Sequence, residues 1–249
     1  MLPVSRRDLI EQLVSGDAEA PSDEWASSRL QLVLVGERLI ALQGIDAVSL
    51  RQVAAEAGNA NTSAVQYHFG SKEGLVQAIF EHRIPRITQR RRMLLSTAAG
   101  SGQLDLRTAV EVWLLPIVEE AEDPQSFYAS FLAQLSQHGR GQHPFDRSSP
   151  ALQRPSRDFF ALVASFLEDI PEPLRSNRIA FAAETCIHVA ADRERSLQRD
   201  PQAVVLPYAL FVADLFDTLL GALQAPSSRA AREALAMFGQ DFDARLLLP

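Results

Sequence analysis

Between Ser49 and Lys72 the sequence gathers nine side chains suited to a polyanion: Ser49, Arg51, Asn61, Thr62, Ser63, Gln66, Tyr67, His68 and Lys72. They are hydroxyls, amides, an imidazole, a guanidinium and the only lysine of the chain, and none of the nine is acidic. Such groups hydrogen-bond to phosphate oxygens and to base edges. Ser63 and Gln66 are the best candidates for base readout, because a glutamine amide can pair bidentately with adenine. Lys72 opens a helix, where an ammonium beside unpaired backbone N–H groups can hold a phosphate. Arg51, Tyr67 and His68 have tips that reach a backbone phosphate, and for His68 a packing role weighs equally. Ser49 is first a helix cap and second a phosphate contact. Asn61 either caps the helix that follows or reaches a base, and capping is the commoner use of asparagine there.

Chemistry of this kind requires rigid positioning. Ser49-Leu50-Arg51-Gln52 has the form of a capping box, in which Ser49 accepts from the Gln52 amide and Gln52 reaches back. A short helix to Ala57 follows and Gly58 closes it. Asn59-Ala60-Asn61 makes a turn, and a second short helix runs from about Thr62 to Phe69. The pair reads as a helix-turn-helix: one helix braces across the DNA backbone and the next enters the major groove. Leu50, Val53, Ala54, Ala57, Ala64 and Val65 would form its packed side. A preceding helix ends at Gly44. Gly70 breaks the second helix, and Ser71 caps a long one that reaches about Thr97, with Pro85 inside it.

Composition narrows the classes. The chain has 249 residues, 47% hydrophobic and 22% charged, as in a folded globular protein. The single cysteine, Cys186, excludes an internal disulfide and a cysteine-rich zinc site, and implies a reducing compartment. No signal-peptide pattern or membrane-length apolar run is present, so a cytoplasmic location and no membrane partner are expected. The net charge of −7 argues against a protein that coats nucleic acid. That charge is unevenly shared. Residues 25–95 hold nine basic against five acidic residues, while residues 1–24 and 96–249 are net acidic.

The runs Leu39 to Gly44, Val48 to Gly58 and Tyr67 to Leu75 resemble the DNA-binding domain of TetR-family transcriptional regulators, over about residues 29–83. The resemblance implies an all-α protein: an N-terminal three-helix helix-turn-helix domain joined by a long fourth helix to a larger helical domain for ligand binding and dimerisation. One departure stands out. Gly58 to Tyr67 is one residue longer than the commonest family form.

The expected organisation is therefore an acidic flexible arm over 1–24, a DNA-binding domain over 25–83 and a helical effector-binding and dimerisation domain over 84–249. In the arm, Leu9, Ile10, Leu13 and Val14 could form one amphipathic turn. Gly100-Ser101-Gly102 reads as a joint between two regions. Arg90-Arg91-Arg92 reads as a solvated helix face, about five turns from the motif. Further helices are expected near 104–121, 125–138, 152–169, 173–199, 203–223 and 227–238, with an exposed loop over 139–150.

A regulator also needs a sensor. Trp113, Phe127, Tyr128, Phe131, Gln134, His138 and Phe160 could line an apolar effector pocket, although each single aromatic more often fills a core. Ile179, Ala183, Cys186, Ile187 and Ala190, with Phe211, Leu215 and Leu219, would give two helices an apolar face for a homodimer. Two-fold symmetry then implies a palindromic operator in double-stranded DNA. The reading is a homodimeric repressor released by a small-molecule effector, with activation the alternative within the class. No catalytic residue, metal site or cofactor is expected. The competing class is a helical small-molecule binding protein or enzyme with an incidental helix-turn-helix, and the sequence has no GxSxG, HExxH, P-loop or glycine-rich dinucleotide motif to support it.

Overall fold

A computed structural model of the chain describes residues 5–15, 27–58, 62–137, 144–200 and 205–238; at 27, 62–64, 146 and 238 it describes the backbone alone. Among the described residues there are eleven α-helices, one 3₁₀ turn over Pro144–Arg147 and no strand. The protein is all-α, with a helix-turn-helix unit at its N-terminal end.

Four helices build that unit: α2 (Ser27–Gln43), α3 (Leu50–Glu56), α4 (Thr62–Phe69) and the N-terminal half of α5 (Lys72–Ser101). Val33 and Ile40 on α2, Val53 on α3, Val65 on α4, and Leu75 and Ile79 on α5 are completely buried together. Val33 and Ile40 are seven residues apart and Leu75 and Ile79 four, which places each pair on one face of its helix. Ser49 accepts from the Gln52 amide at 3.2 Å and starts α3, a cap that stabilises by roughly 1 kcal/mol. The return half of the expected capping box is absent. The Gln52 amide group donates instead to Gln43 at 3.0 Å, which joins α3 to the end of α2.

The rest of the chain forms α6 (Leu106–Glu120), α7 (Tyr128–Leu135), α8 (Pro150–Ala164), α9 (Leu174–Arg199), α10 (Tyr208–Gln224) and α11 (Arg229–Phe238). Phe159, Leu162, Ile179, Cys186, Ala190 and Phe216 are fully buried in its core. The α7 helix has no side-chain cap of its own at Phe127. Glu194 on α9 supplies one, accepting from the Ala129 and Ser130 amides at 3.1 and 3.0 Å.

Three expectations are corrected. Residues 6–15, predicted to belong to a flexible arm, form helix α1 (Arg6–Ser15). Leu9 and Leu13 are one turn apart and bury themselves in the core of the second region, and Arg6 donates to the Ser165 hydroxyl at 2.9 Å. The Gly100 to Gly102 joint is the C-terminus of α5, where Gly102 (φ +69) ends the helix. Residue 83, where the boundary is expected, lies inside α5, the long helix expected to join the two regions. Packing runs across it, because Ile117, Tyr128, Phe131, Leu132 and Leu135 share one core with α2 and α4. Arg90 to Arg92 do not form a solvated face. Successive helical residues point about 100° apart, so Arg90 pairs with Glu119 while Arg91 is buried.

Candidate nucleic-acid interface

The interface is set by the turn between α4 and α5. Gly70 adopts φ +67, a left-handed conformation that costs glycine nothing. A Cβ at Gly74 would lie 1.9 Å from the Phe69 carbonyl oxygen, so only glycine lets the first turn of α5 approach the end of α4. Ser71 accepts from the Gly74 amide at 3.1 Å and caps α5.

On this frame Tyr67 projects from α4 with 87% of its surface exposed. An apolar ring left this open, with a hydroxyl at its tip, suits a surface that a partner covers. His68 is half-buried between the Tyr67 and Phe69 rings, with centroids at 5.6 and 6.1 Å. Arg51 is exposed on the first turn of α3. Gln66 is exposed, and its amide group donates back to the Gly70 carbonyl at the end of its own helix. Lys72 is half-buried, and its ammonium donates to the Ile45 carbonyl at 2.7 Å and the Asp46 carbonyl at 3.3 Å. It therefore clamps the α2–α3 loop, a role its position in the sequence did not disclose. Asn61 lies outside the described residues, as do the side chains of Thr62 and Ser63.

The unit is tied to the rest of the molecule by buried charge. Arg83 on α5 donates from Nε and Nη2 to both carboxylate oxygens of Glu37 on α2, at 2.7 and 2.6 Å. Its Nη1 donates to Glu120 on α6 at 2.7 Å. Glu37 also accepts from the Phe127 amide at 3.2 Å, and Glu120 from the Ser126 hydroxyl at 3.2 Å. The two carboxylates hold Arg83 above the usual guanidinium range despite its burial. The sequence held a signal for this cluster. Glu37 occupies the buried stripe of α2 with Val33 and Ile40, and Arg83 that of α5 with Ile79, Phe80 and Ile87.

The residues expected to line an effector pocket divide between two cores. Trp113 meets Phe160 edge-on at 5.9 Å in the core of the second region. Tyr128 and Phe131 stack at 6.0 Å, with Phe127 packed alongside, in the core shared with the helix-turn-helix. Gln134 is half-buried and donates weakly to the Ala41 carbonyl at 3.4 Å; His138 lies outside the described residues. A separate open groove of about 400 Å³ runs between α5 and α6, lined by Ile87, Arg90, Met93, Pro116 and Glu119 among others.

The residues expected to face a second chain are used within this one. Ile179, Cys186, Ala190, Leu215 and Leu219 are buried in the chain's own core, and Ala183, Ile187 and Phe211 pack against it. Periodicity located an apolar face, but α8 and α6 also compete for such a face. Burial pushes the Cys186 thiol up to about 12, as for a small core hydrophobe rather than a reactive group. The outer face of α9 carries Phe181, Thr185, His188 and Asp192, and that of α10 carries Leu210, Ala213, Gly221 and Ala222.

No single helix among the described residues is long and apolar enough to cross a membrane. No curated protein matches the chain. The family model described as bacterial regulatory proteins, tetR family, matches residues 32–79, from α2 into the first turns of α5. The N-terminal domain of this chain is thus that of the tetR family of bacterial regulatory proteins, and the protein is a DNA-binding transcriptional regulator.

Proposed function

We propose that the protein is a homodimeric repressor that binds a palindromic operator and is released by a small-molecule effector. The observation that carries the DNA-binding end is the exposed α4 surface: Tyr67 stands in solvent beside Gln66, with Arg51 and Lys72 on the flanking helices. In this reading α4 enters the major groove, Gln66 and Ser63 meet base edges, and Ser49, Arg51, Tyr67, His68 and Lys72 meet phosphates. Gln66 must first release the Gly70 carbonyl. In the same reading Asn61 serves as a cap or a base contact and Thr62 as a further DNA contact.

The dimer surface is assigned to the outer faces of α9 and α10 with α11. The α11 helix is strongly amphipathic, and Met237 on it is 79% exposed. A second copy would cover that apolar surface, and its symmetry would set two half-sites about one helical turn apart. The effector acts on the second region, and the Glu37–Arg83–Glu120 cluster carries its effect to the reading helices.

Purified protein mixed with DNA from its own promoter region at ~100 mM salt should give a shifted complex that competitor DNA of unrelated sequence does not dissolve. The same complex should contain two chains per operator by light scattering. Absence of any complex would end the DNA reading, and a single chain per operator would end the dimer.

A further inference from the structure

Three exposed arginines pair with a carboxylate one turn along their own helix: Arg7 with Glu11, Arg154 with Asp158 and Arg229 with Glu233, at 3.1, 3.6 and 2.6 Å. Arg147 is exposed as well, and no ion pair among the described residues includes it. It ends the 3₁₀ turn Pro144–Arg147, in the connection from α7 to α8. Packing fixes the place of that turn. Phe145 meets Phe80 of α5 edge-on, with ring centroids 5.1 Å apart, and lies against the core of the helix-turn-helix. The Ser148 amide closes the turn on the Phe145 carbonyl at 2.9 Å. The Gln153 amide group, on α8, donates to the Phe145 and Ser148 carbonyls at 3.1 and 2.9 Å.

This seat brings Arg147 to the head of α5. Phe80 and Glu73 are seven residues apart, so they share one face of α5, two turns or about 10 Å from each other. Glu73 is exposed in the first turn, next to Lys72. Arg147 stands two residues beyond Phe145, and its charge bears on Glu73. The Glu73 carboxyl lies below its usual range, first through hydrogen bonds with its own amide and with Ser71, then through the charges of Lys72 and Arg147. A carboxylate at a helix N-terminus stabilises the helix, but it repels a phosphate. Beside Lys72 it cancels the one cation of the α5 head, and Arg147 restores a positive charge there.

We infer that Arg147 is a contact to the DNA backbone: the connection between α7 and α8 lays its guanidinium on a phosphate beside the stretch held by the head of α5. The DNA interface then extends past the helix-turn-helix, and the second region touches the operator directly. A guanidinium matches a phosphate with two parallel N–H bonds. Such a contact adds affinity and fixes orientation, and it carries no sequence information. The inference rests on the reading in which α4 and the head of α5 face DNA. Arg147 belongs to the chain between α7 and α8, so a shift of those helices alters a DNA contact without passing through the Glu37–Arg83–Glu120 cluster.

The test titrates the full-length protein, by fluorescence anisotropy, with a duplex from its own promoter region and with a duplex of unrelated sequence, from ~50 to ~200 mM salt. Arg147→Ala should weaken binding to both by the same factor, about three- to tenfold. It should also reduce the slope of log affinity against log salt by about one for each chain that contacts DNA, with the melting temperature unchanged. Arg154→Ala removes another exposed arginine, on α8, and should leave affinity within about twofold of the native chain. In a Glu73→Gln background, Arg147→Ala should still cost at least about threefold. A loss that vanishes in that background would show that Arg147 only screens Glu73, and an equal loss in Arg154→Ala would reduce the effect to net charge; either overturns the inference. Lys72→Met, measured in parallel, separates it from the reading on which it rests. A slope lowered by Lys72→Met and not by Arg147→Ala would overturn the inference alone, whereas a slope lowered by neither would overturn the interface reading as well.

Discussion

Arg83 grips Glu37 with two nearly parallel hydrogen bonds of 2.7 and 2.6 Å, although the two residues are 46 positions apart and both are buried. The pair joins the first helix of the DNA-binding unit to the helix that runs on into the second region. With Glu120 as the third member, it makes the orientation of the reading helices a property of the whole molecule. Removing one member leaves charge unpaired in the interior. Glu37→Ala should therefore destabilise the protein by about 3–5 kcal/mol in urea unfolding. A loss under ~1 kcal/mol would show that the cluster is not structural.

Lys72 has two potential partners: the loop carbonyls it now holds and a phosphate. Lys72→Met should lower operator affinity and reduce the slope of log affinity against log salt by about one for each chain that contacts DNA. An unchanged slope with a lowered melting temperature would assign Lys72 to the α2–α3 loop alone.

Tyr67 touches little of the protein, so its removal separates binding from folding. Tyr67→Ala should change stability by no more than ~0.5 kcal/mol and weaken operator binding about tenfold, as for loss of one hydrogen bond and its stacking area. Equal affinity of the variant and the native chain in a fluorescence anisotropy titration would remove Tyr67 from the interface.

Glu194 is buried at the head of α7, and desolvation outweighs its two amide bonds, raising its carboxyl from 4.5 to about 7. The folded state thus keeps a proton that the unfolded chain loses near 4.5. Its contribution to stability is present below that value and falls away as pH rises to about 7, by roughly 2–4 kcal/mol in all. Glu194→Gln carries no such proton. The stability difference between variant and native chain should shift toward the variant between pH 5 and pH 8, and parallel pH profiles would refute the assignment.

Leu13 is buried where α1 meets α5 and α8. Leu13→Ala should cost about 2–4 kcal/mol in thermal or urea unfolding. A neutral result would return residues 6–15 to the status of a loose arm.

The sequence by itself determined the local structure. Ser49 and Ser71 as caps, Gly44, Gly58 and Gly70 as stops, and apolar stripes on α2 to α5 follow from propensity and periodicity, which act over three or four residues. The helix-turn-helix was legible for the same reason, and so were the polar residues along α4. Tertiary structure decided which charged residues lie inside and what each apolar face meets. Glu37, Arg83 and Arg91 occupy core stripes of their helices, yet periodicity cannot name a partner 46 residues away. The dimer-facing residues expected on α9 and α10 were apolar as read, but their own chain had already buried them. Leu9 and Leu13 looked too few to order an acidic segment, and a hydrophobic pocket between α5 and α8 was enough to do it. A helix forms from its neighbours in sequence, whereas burial depends on every other helix that competes for the same face.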